Sequence, residues 1–545
     1  MDGTLIIKKF SQLESQRKSL DSVLQDIDRY VVPYRGEFFN DMTSEHSVKW
    51  HRTRIYDSTA LVACNLLASQ MHGNLTSPVT KWFHLRFRDD ELNRMPEAKK
   101  WLEDVGTRIW RTLQESDFNN TAAEMYKDIC SFGTSILMEE PKGDLKWDGI
   151  DFTALPIMDS YFQITPEGRP YEVYRKLRYT RQELQSRFPD MPEDLMVDDA
   201  EKASVDTKIE VVFCVYDRLN NAPNKSVLKP EDRQIGYKYV LRNSGAELEE
   251  GGYYKFPAMV VRWDKVAGAK WGKSPAMDLL SDIKQLNELV VQTSEARAKA
   301  LDPPYITTER GVIGDLDMEA GGITVVTDMD LLAPLIPASD FHQADLERER
   351  LQESIRNGFF NDKLEFKDSP QMTATEVNAR MEKMLRMMSP TLGRLQTDFL
   401  DPLVEITYSI LARQNQLPEM PEILEKGTEL DVEYIGPMPR AQKAEVAMSV
   451  EAWMMSVANM AQMFPEMMDI IDADEVVRMM QDLRGVPASC AKSTKEVEQI
   501  RQQRAEQEAA AQETENIRQG GEAAEQAGKG AMALKEAGIE PEAIQ

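Results

Sequence analysis

Residues 271–304 read WGKSPAMDLLSDIKQLNELVVQTSEARAKALDPP, a helical segment with Pro275 at its start and Pro303 and Pro304 at its end. Leu279, Ile283, Leu286 and Val290 recur at steps of four, three and four, so they share one stripe of an α-helix. Beyond Val291 the stripe fades into the small, polar SEARAKA. A helix with such a tip suits packing beside neighbouring helices better than burial in a core. Downstream, residues 340–360, DFHQADLERERLQESIRNGFF, form a second helix, so the chain is expected to go out along one helix and return along another. Between them, residues 302–338 hold two β-prone runs, YITT and ITVVT, separated by Gly311, Gly314, Gly321 and Gly322 and closed by Pro334 and Pro337.

After a polar loop a long helix is expected from Thr373 to about Arg413. Thr373 and Glu376 have capping-box spacing, which fixes its start. Val377, Met381, Met384, Leu385 and Met388 form one stripe, which resumes through Leu392, Leu395, Phe399, Leu403, Ile406 and Ile410. At ~1.5 Å per residue the helix spans roughly 60 Å, with kinks expected near Pro390 and Pro402. Residues 440–484 are helical and methionine-rich, with Trp453, Val457, Met460 and Phe464 in helical step, and read as adaptable core. From residue 494 the chain is low in complexity, built of Glu, Gln, Ala and Gly, and reads as a marginal helix or a disordered tail.

Toward the N-terminus, Leu13, Leu20, Leu24, Ile27 and Val31 mark one face of a first helix, closed by Pro33. Residues 54–73 and 94–116 read as further helices. Between them Phe83, Leu85 and Phe87 alternate with His84, Arg86 and Arg88, a strand with one apolar face. From 134 to 263 the period is two: Val173, Leu177 and Tyr179 against Glu172, Lys176 and Arg178, then Ile209, Val211, Phe213 and Val215, then Ile235, Tyr237, Tyr239 and Leu241.

A chain of 545 residues exceeds the ~250–300 at which single cores stop growing, so two or more substructures are expected. It has no apolar run long enough to span a bilayer and no secretory leader, which predicts a protein made in the cytosol with no membrane partner. Cys64, Cys130, Cys214 and Cys490 are scattered without metal or disulfide spacing and read as reduced packing residues. The net charge of −27, from 92 acidic against 65 basic residues, makes the chain a poor general binder of nucleic acid. The GKS at 272–274 is not a phosphate loop, because residue 267 is alanine and Pro275 removes an amide from the expected nest. Five histidines form no metal-ligand or nucleophile–base pattern, so neither an enzyme nor a cofactor is expected.

Seven stretches, in order, carry a resemblance to a known family: YVVPYRGEFF (30–39), LLASQMHGNLTSPVTKWFHL (66–85), SFGTSILMEE (131–140), WGKSPAMDLLSDIKQLNEL (271–289), LDPP (301–304), TATEVNARMEKMLRMMSPTLGRLQTDFLDPL (373–403) and EYIGPMPRAQKAE (433–445). Together they resemble the portal, or head-to-tail connector, proteins of podovirus-type bacteriophages. Trp271 and Lys273 stand where that pattern has tyrosine and arginine.

The resemblance implies a helix-rich α+β portal fold: an α/β wing (1–270), stem helix 1 (271–301), a clip (302–338), stem helix 2 (339–360), a tunnel loop (361–372), a long kinked helix with wing return (373–435), a crown (436–486) and a C-terminal helical tail or barrel (487–545). It also implies a homo-oligomeric, dodecameric ring at one capsid vertex of the virion, assembled in the host cytoplasm. Its partners would be double-stranded DNA, terminase, tail adaptor and tail proteins, and capsid and scaffolding proteins. In that setting Leu279, Ile283, Leu286 and Val290 are candidate subunit contacts, Lys363, Lys367 and Arg356 candidate DNA contacts, and Glu309, Arg310, Asp315 and Asp317 candidate partner-binding residues of the clip. A virion scaffolding or internal core protein is the alternative; the β-rich stretch at 134–263 speaks against it.

Overall fold

The structure, a computed structural model, describes residues 1–33, 55–89, 95–143, 146–189, 208–218, 229–266, 268–301, 305–307, 332–334, 341–361, 388–421, 430–434, 437–461, 471–484 and 496–509, with isolated positions between and beyond them. It divides into two compact units, one of residues 1–86, 103–419 and 430–439, the other of 87–102, 420–429 and 440–545.

The first unit is built on two antiparallel sheets. Strands β4 (Ser160–Ile164), β5 (Pro170–Tyr179), β6 (Ile209–Asp217), β7 (Ile235–Leu241) and β8 (Glu247–Tyr253) form a meander in sequence order. In the smaller sheet β2 (Thr134–Pro141) lies between β3 (Ile150–Leu155) and β9 (Ala258–Arg262). The sheets share a core of Ile136, Met138, Phe162, Val173, Phe213, Val215 and Val260. Fully burying each such side chain contributes ~1.5–3 kcal/mol.

Helix α1 (Gly3–Tyr30) covers the other face of the meander, with Ile6, Phe10 and Leu13 against Tyr161, Tyr174, Val212 and Cys214. The alternation expected in β5 holds, and its polar side is covered as well: Glu172 and Lys176 are buried under α1, where Lys9 pairs with Glu172 at 2.6 Å. Arg17, also on the inner face of α1, donates from Nη1 to the carbonyls of Ile157 (2.7 Å) and Ser160 (2.9 Å), and from Nη2 to Met158 and to Tyr161 Oη (2.9 Å). A turn that would bury unpaired carbonyls is thereby satisfied by one side chain.

Helices α2 (Thr59–Leu75) and α3 (Pro96–Glu115) fall at the expected positions; α4 (Phe118–Phe132), not among the expected elements, buries Phe118, Ala122, Met125, Tyr126, Ile129 and Phe132. Strand β1 (Phe83–Phe87) alternates buried and exposed as expected and pairs with β14 (Leu430–Tyr434). A short helix α5 (Arg181–Arg187) starts with a complete capping box between Thr180 and Glu183. Cys64, Cys130 and Cys214 are buried free thiols; burial pushes the Cys64 thiol up to about 12. Cys490 lies outside the described residues.

Of the long helix, the described part runs from residue 388 through a π-helical turn, Gln396–Leu400, into α9 (Asp401–Arg413). The irregularity expected near Pro402 takes the form of that π turn, since proline offers no amide to the preceding carbonyl. The stripe holds: Met388, Leu392, Leu395, Phe399, Leu403 and Ile406 are buried. Phe399 packs on Phe118 and Tyr126 of α4. The capping box at Thr373 lies outside the described residues.

In the second unit Phe87 stacks on Trp101 at 6.2 Å. Helix α10 (Pro437–Ala461) is joined to α11 (Ala473–Arg484) by the Glu451–Arg484 ion pair, and α11 is joined to the helix at 496–509 by a bidentate Arg501–Asp474 pair at 2.5 and 2.7 Å. The methionine-rich stretch is not core, contrary to the expectation: Trp453, Met455, Met460 and Phe464 are exposed. Its periodicity is helical, but nothing in the described chain covers it.

Candidate functional site

The helical hairpin at 271–361 is held at its root by a backbone approach that only glycine permits. Gly133 ends α4 in a left-handed conformation (φ 74°), and strand β11 (Gly272–Lys273), paired with β10 (Asp264–Lys265), passes directly against it. A Cβ on Gly272 would lie 2.2 Å from the Gly133 carbonyl oxygen. The Gly272 amide donates to Thr134 Oγ1 at 2.8 Å.

Ser274 then caps α6 (Pro275–Asp278): its Oγ accepts from the Met277 amide and donates to the Ser131 carbonyl at 2.6 Å. Lys273 pairs with Asp278. The three residues of the GKS sequence are thus occupied in fixing a helix start. Trp271 sits edge-on to Phe162 at 4.7 Å, tying this root to the large sheet.

From there α7 (Leu280–Leu301) and α8 (Phe341–Gly358) run together. Close contact at the base comes from Gly358, whose added Cβ would meet the Leu279 methyls at 2.6 Å. Lys284 pairs with Asp26 of α1 (2.6 Å), and Gln352 of α8 donates to Asp57 (2.7 Å). Further out, Arg297 forms a bidentate pair with Asp345, both contacts 2.7 Å, and lies over the Phe341 ring. Such an exposed pair contributes little on its own, ~0–1 kcal/mol. Neither it nor the Gly358 approach had a local signal in the sequence; the partners are separated by 48 and 79 residues.

The stripe of four candidate contact residues is placed unevenly. Ile283 and Leu286 are buried inside the chain at 4 % and 2 % exposure, while Leu279 and Val290 are half-buried. Half of the stripe is thus covered within one chain, with α8 and α1 packed against α7. Arg356 is exposed near the end of α8. Lys363, Lys367, Glu309, Arg310, Asp315 and Asp317 lie outside the described residues.

Between the two helices, β12 (Tyr305–Thr307) pairs antiparallel with β13 (Leu332–Pro334), Ile306 opposite Ala333. The first strand is the expected YITT. Its partner begins five residues beyond the end of the other β-prone run, ITVVT, which lies outside the described residues.

No helix of the described residues is long and apolar enough to cross a membrane. The family described as bacteriophage head to tail connecting protein matches residues 4–491. The chain is 28 % identical over 539 residues to the probable portal protein of Bordetella phage BPP-1, covering 96 % of this chain and 95 % of the relative. It is also 28 % identical over 525 residues to the portal protein of Salmonella phage epsilon15, covering 93 % and 92 %. These matches do not favour the scaffolding or core-protein alternative. A helix-rich α+β chain matched along nearly its whole length in this way belongs to the bacteriophage head-to-tail connecting proteins, the portal proteins, which are structural components of the virion at a capsid vertex.

Proposed function

We propose that twelve copies of this chain close into a ring at a single capsid vertex, having assembled in the host cytoplasm, and that DNA enters and later leaves through the bore. The observation that carries this reading is the out-and-back pair α7 and α8, rooted in the sheets and joined through the β12–β13 hairpin. In this reading α7 and α8 are the stem and residues 302–338 the clip, which docks terminase during packaging and the tail proteins afterwards. Residues 1–270 and the return through 373–435 form the wing, 361–372 the tunnel loop, 436–486 the crown and 487–545 the tail. Lateral contacts between stems use the half-buried Leu279 and Val290 and the exposed polar end of α7, since Ile283 and Leu286 are already covered. The net charge of −27 keeps phosphates from adhering to the wall, and Arg356, Lys363 and Lys367 supply the isolated cations near the bore. The chain catalyses nothing; the energy of packaging comes from a partner ATPase.

Negative-stain electron microscopy of the purified protein tests the assembly, with twelve-fold rings around a central hole expected. Monomers or open filaments under all conditions overturn it. Deleting residues 309–322 tests the clip: rings should persist while DNA packaging and tail attachment fail, and normal packaging by the deletion variant refutes the assignment.

A further inference from the structure

Helix α10 is exposed on two opposing flanks, and both are apolar. Val446, Trp453 and Met460 recur at steps of seven along one flank, and Phe464, whose amide still donates to the Met460 carbonyl at 2.9 Å, continues it. Met448 and Met455, 69 % and 72 % exposed, line the other, with the exposed Ala452 between them. At ~100° per residue, Met448 lies about 200° round the helix from Val446, and Met455 the same from Trp453. On one side between the flanks the helix is attached: Ala447 is buried and Glu451 pairs with Arg484 of α11. On the other side Ser449 and Ser456 are exposed.

Charge narrows what can cover these flanks. Between Glu451 and Glu466 no residue is charged, in a chain whose net charge is −27. That run therefore has no Lys or Arg to hold a nucleic acid or an anionic lipid surface. Two copies of so acidic a chain repel, and they approach at the lowest electrostatic cost where neither presents charge. The flanks also match in relief. An open groove of ≈ 380 Å³ is lined by Val446, Ser449, Val450 and Trp453. The opposite flank carries flexible methionine side chains that can enter such a groove, and its Ala452 leaves room for an indole ring. One flank thus complements the other and not itself, and a surface that fits its own opposite side repeats head to tail.

We propose that α10 is a seam between copies of this chain, the Val446–Trp453–Met460 flank of one copy packing beside the Met448–Met455 flank of the next. The closure of that series rests on the ring reading above. Chemical cross-linking of the purified full-length protein tests it. Val446 and Met448 stand at nearly equal height on opposite flanks, so they are replaced singly and together, Val446→Cys and Met448→Cys, in a Cys490→Ser background, and treated with a short bismaleimide. On a denaturing gel the double variant should give a ladder of linked copies reaching the full ring. Each single variant should link no more than the Cys490→Ser background, whose remaining cysteines are buried. Trp453→Asp should raise the protein concentration at which half the copies are assembled by about tenfold or more, because it puts an unpaired carboxylate into the seam. Ser456→Asp, exposed between the flanks, should leave that concentration unchanged; circular dichroism checks that both variants are folded. Sedimentation of the parent tells the two readings apart. Rings without a ladder from the double variant overturn the seam alone and leave the flanks to a different protein, whereas a parent that stays monomeric overturns the seam together with the ring. Linked dimers from a single variant, which mark a two-fold contact, also overturn the seam, as does assembly of Trp453→Asp at the parent's concentration.

Discussion

Replacing Gly272 with alanine should unseat the root of the helical hairpin. The new methyl carbon would fall 2.2 Å from the Gly133 carbonyl oxygen and 3.0 Å from Arg262 Cβ, and the nearer atom is backbone that cannot rotate away. Restoring an ordinary contact requires the strand to retreat by about 1 Å, which breaks the 2.8 Å bond from the Gly272 amide to Thr134. Overpacking costs ~1–3 kcal/mol. A buried amide left without its acceptor adds ~1–3 kcal/mol. Against this stands ~0.4–1 kcal/mol gained by stiffening the unfolded chain, so the net loss is about 2–5 kcal/mol. At ~2–4 °C per kcal/mol for a large domain, the melting temperature should fall by roughly 4–20 °C. The same change at Gly73, exposed in α2 with nothing within 4 Å of the added atom, should leave the protein unchanged or slightly more stable. Differential scanning fluorimetry of both variants beside the parent decides the matter. If Gly272→Ala melts with the parent, or no lower than Gly73→Ala, the tight approach of β11 to Gly133 is refuted.

Arg17→Met should destabilise the first unit by ~3–5 kcal/mol, because the Ile157, Met158 and Ser160 carbonyls lose their shared donor; a urea midpoint equal to the parent's would contradict this. Lys81, desolvated beside α3, titrates at about 8 in the folded chain against 10.5 in the open one. Its charged form weighs on the fold below pH 8, and stability rises as the folded state releases the proton between pH 8 and 10.5. Lys81→Met should flatten that rise in melting temperature, and an identical pH profile argues against the desolvated lysine. Leu286→Asp buries a charge within the chain and should lower the melting temperature of the monomer itself, whereas Val290→Asp should leave the fold intact and shift sedimentation from ring to monomer. The two variants behaving alike would show that the stem stripe does not divide between internal and lateral contacts. Lys363→Gln with Lys367→Gln should leave ring stability unaltered while changing DNA retention, measured by genome release from assembled particles.

Most of the first unit could be read along the chain wherever a local pattern also decided the packing. The strand Phe83–Phe87 and the stripe from Met388 to Ile406 are such cases, because one face meets core and the other meets water. Strand β5 was legible as a strand with two faces, but the roofing of its polar face by α1 was not, since the Lys9 that meets Glu172 is 163 positions away. Helix α4, not among the expected elements, carries a stripe that could have revealed it: Phe118, Ala122, Met125, Tyr126, Ile129 and Phe132. Arg17 reads as a surface residue because the carbonyls it serves are 140 positions downstream. The methionine-rich helix marks the opposite limit: spacing reports that an apolar face exists, not whether the same chain covers it. In the helical hairpin the sequence located both helices, whereas the cap at Ser274, Gly358 against Leu279 and Arg297 against Asp345 became visible only in three dimensions.

The distribution of grip along the helical hairpin has a mechanical meaning. Its apolar clasps, Leu279 on Gly358 together with buried Ile283, Leu286, Leu351, Ile355 and Phe359, are all near the sheets, while the outer half of α7 is wet and ends in a fully solvated Leu301. The pair is therefore a cantilever about 33 Å long, stiff where it is clamped and increasingly compliant toward its free end. Load applied at the β12–β13 tip is absorbed as sway of the outer turns, with the Arg297–Asp345 bridge as a weak tie that can open and reclose. Only a force large enough to lever Gly272 away from Gly133 would reach the sheets, so the tip can follow a moving partner while the body of the protein stays still.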